Sequence, residues 1–81
     1  MTIEKKTTTS YSIKGAEKIR VKIHYYSSRE KSYELYFYKE TENGKIEKVT
    51  IEWFYRLRDL KEFLAKYETE EELLKNYEFY R

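Results

Sequence analysis

The 81-residue chain has no cysteine, no proline and no glutamine, and it has only two glycines, two alanines and one methionine. Without cysteine it can form neither a disulfide nor a thiolate metal site, and the absence fits a reducing compartment. Both glycines, Gly15 and Gly44, fall where turns are expected, which leaves no glycine-rich loop to cradle a phosphate. No apolar run approaches the roughly 20 residues of a membrane span, and the first residues lack a signal-peptide apolar core. The expectation is a soluble, cytoplasmic protein without a membrane partner. Histidine and aspartate occur once each, as His24 and Asp59. His24 reads as a surface partner of Glu34, and Asp59 sits among Arg56, Arg58 and Lys61 at helical ion-pair spacing. Ser27 and Ser28 have no partnered histidine and acid. No set of catalytic roles or converging ligands is recognisable. A non-enzymatic protein with no metal and no cofactor is expected.

Charge and tyrosine fill the chain instead. Charged residues make up 40% of it, and tyrosine occurs ten times. High charge with few labile residues suits a hyperthermophile, although thermophile loops usually gain proline. It equally suits an idealised or de novo designed sequence, in which every local choice agrees with the fold. The net charge of +2 is uneven. Residues 1–66 hold 15 Lys/Arg against 10 Asp/Glu, a balance of +5, and residues 67–81 hold 2 against 5, a balance of −3. A single domain of this length buries roughly 60–65% of its unfolded surface, so its stability depends on good packing.

Four strands are expected, at about residues 8–14, 18–26, 32–41 and 45–53, from their β-branched and aromatic content. Met1 to Thr9, rich in lysine and threonine, reads as a terminus prone to fray. Strict alternation in Lys18–Tyr26 places Ile19, Val21, Ile23 and Tyr25 on one face and Lys18, Arg20, Lys22, His24 and Tyr26 on the other. Pairing Ile13 with Ile19 sets Tyr11 opposite Val21. A five-residue loop at Ser27–Lys31 sets Val21 opposite Phe37, Arg20 opposite Tyr38 and Ile23 opposite Leu35. At Asn43-Gly44, a two-residue turn would throw the apolar set onto the wrong face. A three-residue loop with left-handed Gly44 instead pairs Val49 with Phe37 and Ile51 with Leu35. The core face then carries Tyr11, Ile13, Ile19, Val21, Ile23, Tyr33, Leu35, Phe37, Val49, Ile51 and Trp53.

Such a face needs a cover. Phe54, Leu57, Leu60, Leu64 and Tyr67 recur at helical spacing, which predicts a helix over about 54–67. Thr69 with Glu72 is a capping box for a second helix over about 70–78, and Glu70, Glu71 and Glu72 suit its first-turn dipole. The expected fold is α+β: a four-stranded antiparallel meander with two C-terminal helices packed on one face.

The opposite face is where a function is expected. Lys18, Arg20, Lys22, Tyr26, Tyr36, Tyr38 and Lys48 mix tyrosine rings with cations. Single-stranded nucleic-acid binders use such surfaces, with bases stacking on rings and cations tracking phosphates. The same residues also make cross-strand pairs that need no ligand. Three readings stay open: a compact domain serving as scaffold or binding module, a single-stranded nucleic-acid binder of a hyperthermophile or its virus, and an inhibitor or adaptor offering this face to a protein partner. Tyr55, Tyr77, Phe79 and Tyr80 either form a dimerising patch or fold back on the domain, so monomer and homodimer both remain.

Val49-Thr50-Ile51 followed by Leu57-Arg58-Asp59-Leu60-Lys61-Glu62 resembles the last strand and helix start of the positive-cofactor-four transcriptional coactivators, with Leu57 where that family has tryptophan. The resemblance implies a basic, aromatic sheet face that binds single-stranded DNA on a dimer.

Overall fold

A computed structural model describes the backbone of residues 1–79 and the side chains through Tyr77. The expected contribution of Phe79 and Tyr80 to a dimerising patch lies outside the described residues. Five strands precede two helices: β1 Ile3–Thr7, β2 Ser10–Ile13, β3 Arg20–Tyr25, β4 Lys31–Glu40, β5 Ile46–Phe54, α1 Leu57–Ala65 and α2 Glu70–Phe79. The strands form one antiparallel sheet in chain order. The α+β class is as expected, but the sheet has five strands rather than four. Ile3–Thr7 is the addition. It pairs with β2, setting Ile3 opposite Ile13, and so extends the core face where fraying was expected. The Met1 ammonium donates to the carbonyls of Leu64 (3.1 Å) and Tyr67 (2.9 Å), which holds β1 against the end of α1. The negative end of the helix dipole favours a cation there.

β4 and β5 have their expected lengths, displaced by one residue, whereas β2 and β3 are shorter than the alternation implies. β2 starts at Ser10, and β3 starts at Arg20, so Lys18 lies outside the sheet. The Ser10–Lys22 and Tyr11–Val21 pairs are as expected. Between β3 and β4 the register differs by two residues: Val21 faces Leu35, Ile23 faces Tyr33, Arg20 faces Tyr36 and Lys22 faces Glu34. The cause is the turn. Ser27 Oγ accepts the N–H groups of Arg29 and Glu30, and the Tyr26 and Ser27 N–H groups donate to the Glu30 carbonyl, closing the hairpin two residues sooner. A slip of two preserves side-chain parity, so both faces keep their composition.

The third hairpin closes with the expected three-residue loop. Gly44 takes φ +80°, and the Thr41 N–H donates to the Lys45 carbonyl at 2.7 Å. Val49 faces Phe37, but the ladder then shifts between Tyr36 and Leu35, where Thr50 faces Tyr36 and Glu52 faces Leu35. Ile51 is the extra residue of a β-bulge, and a single insertion reverses every side chain beyond it. Trp53 therefore leaves the core face to which alternation assigned it and stands opposite Glu34, while Phe54 turns inward against Phe63, with ring centroids 5.3 Å apart. Phe54 thus ends β5 and does not begin the helix.

Both helices pack on one face. Leu60, Leu64, Leu73 and Leu74 are buried against Val21, Leu35, Phe37 and Val49. The Glu72 N–H donates to Thr69 Oγ1, as a capping box requires, while the Glu72 carboxylate reaches back to the Glu68 N–H instead of that of Thr69. Tyr77 packs edge-on against Phe37 and donates its hydroxyl to the Thr50 carbonyl at 2.9 Å, beside the bulge. Among the described residues no helix is long and apolar enough to cross a membrane.

Glu70 has a role beyond the helix dipole. Its carboxylate accepts three consecutive N–H groups, from Glu17 (3.1 Å), Lys18 (2.5 Å) and Ile19 (2.6 Å), tying α2 to the loop that leads into β3. Glu70→Ala should lower the unfolding free energy by about 1–2 kcal/mol through loss of these charge-assisted bonds. Glu71→Ala, in the same turn but exposed, should cost less than about 0.5 kcal/mol. Equal urea midpoints for the two variants would leave the dipole as the only role of both.

Candidate functional site

The face of the sheet away from the helices carries most of the expected site residues. Arg20 and Lys22 project from β3, and Tyr36 and Tyr38 from β4. The Tyr36 and Tyr38 rings meet edge to face with centroids 5.7 Å apart. Lys48, opposite Tyr38 on β5, places its ammonium 5.7 Å from the Tyr36 ring centroid. Tyr26 stands just beyond β3, largely exposed, with its hydroxyl 2.8 Å from that of buried Ser32. Lys18 is not part of this group. It lies in the loop whose N–H groups bind Glu70, and its place on the alternating strand does not hold.

The centre of the face is Glu34, which is only 1% exposed and not the solvated end residue that the pattern implied. Its Oε1 accepts from His24 Nε2 at 2.8 Å and lies 3.2 Å from Lys48 Nζ. Its Oε2 lies 3.1 Å from the same ammonium and accepts from the Thr50 hydroxyl. The two-residue register difference sets His24 opposite Ser32, so His24 reaches Glu34 diagonally. The Trp53 ring packs on the His24 ring at 5.0 Å. Two devices thus shape the cluster: the bulge at Ile51 turns Trp53 outward, and the tight hairpin brings Lys22, rather than His24, opposite Glu34. The sequence carries no local signal for the bulge, which is why Trp53 escapes a reading by alternation alone.

The electrostatics of the cluster follow from its contacts. Burial alone would raise the Glu34 pKa, but the hydrogen bonds from Thr50, His24 and Lys48 outweigh it and hold the carboxyl below its ordinary value. Burial, with Tyr38 beside it, pushes the Tyr36 phenol above its ordinary value. Among the described residues, the Lys48 ammonium on this face pairs with Glu34, and neither Arg20 nor Lys22 has an ion pair. The charge of Lys48 is therefore largely compensated, while those of Arg20 and Lys22 remain open. Glu34 occupies His24 Nε2, and no group of three or more His, Cys, Asp or Glu side chains among the described residues could hold a metal ion.

The Glu34 shift has a defined sign. Because the folded-state pKa lies below the unfolded one, about 4.3 for glutamate, the stabilisation is present above that value and is lost as pH falls through the folded pKa. Glu34→Gln should be about 1–3 kcal/mol less stable than the parent at neutral pH. The two curves should converge as acid protonates Glu34. Urea unfolding of both proteins from about pH 7 down to about pH 2.5 tests this, and curves that fall in parallel would remove Glu34 as a contributor.

Comparison with protein-family models, with curated proteins and with solved structures found no match, so the functional reading rests on the geometry of this face.

Proposed function

We propose that the protein is a non-enzymatic binding module whose uncovered sheet face takes single-stranded nucleic acid. The observation that carries the reading is the bulge at Ile51. It brings Trp53, 42% exposed, onto the same face as Tyr26, Tyr36 and Tyr38, with Arg20 and Lys22 beside them. An uncovered sheet bearing aromatic rings and uncompensated cations offers stacking surfaces for bases and point charges for phosphates. The main carboxylate of the face is buried and committed to its own donors, so its negative charge is compensated within the face. Tyr38, 52% exposed and held edge-on to Tyr36, presents an open ring face at little conformational cost. The uncovered basic, aromatic sheet also agrees with what the likeness to the single-stranded DNA-binding coactivators implies.

Trp53 is the only tryptophan of the chain, so its fluorescence reports directly on this face. Oligo(dT) should quench it, with an affinity that falls steeply as salt rises. Tyr38→Ala should weaken binding by about 1–3 kcal/mol, or roughly 5- to 150-fold, with the urea midpoint unchanged. No quenching and no binding at low salt would overturn this reading in favour of a scaffold. Capture of a protein partner, lost in Tyr38→Ala, would favour an adaptor instead.

A further inference from the structure

A second feature of the same face lies two strands away from the tyrosines. β2 carries serine at both of its outward positions, Ser10 and Ser12, between taller side chains on either side. Its ladder with β3 consists of the Ser10–Lys22 and Tyr11–Val21 pairs and stops before the Gly15 turn. The result is a trough of about 420 Å³ lined by Ser10, Ser12, Lys6, Arg20 and Tyr36 on its polar side and by core residues, Ile13, Ile19 and Val21 among them, at its base. That volume falls within the range of small-ligand sites. Ser10 Oγ is held 2.8 Å from Thr7 Oγ1. Two carboxylates bound the cationic part of the trough, Glu17 in its lining and Glu4 opposite Ser12 on β1, and they confine an anion to the side of Lys6 and Arg20.

We propose that this trough is the phosphate-binding half of the face and seats the phosphodiester backbone of a strand whose bases stack on Tyr36 and Tyr38. The inference rests on the nucleic-acid reading and adds a place for the backbone. The chemistry is complementary. Serine hydroxyls donate to phosphate oxygens, the Arg20 guanidinium offers a planar fork of donors, and Lys6 adds a second cation. Tyr36 belongs to both halves, since it lines the trough and packs against Tyr38. A strand lying from β2 toward β5 therefore meets hydroxyls and cations first and aromatic rings next.

Two labelled 12-mers separate the halves: oligo(dT), and an abasic phosphodiester of the same length. Fluorescence anisotropy across a salt series should show the abasic strand binding more weakly than oligo(dT), but measurably at low salt. Lys6→Ala should reduce the salt slope for both strands by about 0.7, the value for one lost phosphate contact on a single strand. Ser12→Leu, which fills the trough, should weaken both strands about tenfold, with folding verified by an unchanged urea midpoint. Tyr38→Ala should weaken oligo(dT) alone. If Lys6→Ala and Ser12→Leu bind both strands as the parent does while Tyr38→Ala still weakens oligo(dT), the trough assignment is overturned and the face reading stands. If neither strand binds the parent, the face reading fails, and pyrophosphate titration by NMR decides the trough. Shifts at Ser10, Ser12 and Arg20 that vanish in Ser12→Leu keep it as an anion site, and their absence overturns it.

Discussion

The constraint on which the structure depends is that helices cover only one face of the sheet. Side chains on a strand alternate between faces, so each apolar core residue of every strand must fall on the same parity as the leucines of α1 and α2. A register change of two residues is harmless to this requirement and alters only which neighbours meet. That is the situation between β3 and β4, where Ser27 tightens the turn and Val21 meets Leu35. A change of one residue exchanges the faces. At Ile51 the exchange is put to use: Phe54 enters the core against Phe63, and Trp53 moves to the open side. Tyr77 bonds to the carbonyl of Thr50, next to the extra residue, so α2 itself braces the backbone where parity reverses.

The open side is organised by a buried charge. A carboxylate removed from water needs its lone pairs filled, and Glu34 meets that need with an imidazole, an ammonium and a hydroxyl. Such a cluster adds little net stability compared with an apolar substitute of the same shape, but it fixes geometry. It draws Lys48 over Tyr36, sets His24 beneath Trp53 and ties β3, β4 and β5 together on the face that no helix covers. The two cations it leaves out, Arg20 and Lys22, are those with charge to spare for a ligand.

Much of this was legible in the sequence because it follows from period and turn chemistry. Alternation in residues 20–25, the helical spacing of Leu57, Leu60 and Leu64, the Thr69 cap and the left-handed Gly44 each have a local cause, and each appears in the structure. What could not be read was non-local. β1 is polar along most of its length, and it is ordered by pairing with β2 and by carbonyls at the end of α1. The bulge at Ile51 is favoured by packing of Phe54 on a helix residue nine positions later. Burial of Glu34 depends on three donors from two other strands. Glu70 reads as a dipole residue until the loop at Glu17–Ile19 is seen to supply its N–H groups. The site followed the same division: the tyrosines and cations were identifiable by type and parity, whereas Trp53 and the serine trough required the register.

The face is therefore energetically separable from the fold that carries it. Stability resides in the leucine, valine and phenylalanine contacts between sheet and helices, while Tyr38, Arg20, Lys22 and Ser12 contribute little to that core. Exposure of Trp53 and Tyr38 forgoes apolar burial at roughly 25 cal/mol per Å², and nothing in the packing of α1 or α2 compensates for it. A sheet selected for stability alone would set short polar side chains at both positions, as β2 does with Ser10 and Ser12. Large rings on β4 and β5 combined with small hydroxyls on β2 make an uneven surface, high and aromatic toward one edge and low and polar at β2, inside the edge strand β1. Arg20 and Tyr36 form the step. Under the proposed reading, a single strand would place its wide, planar bases on one level and its narrow phosphate backbone on the other.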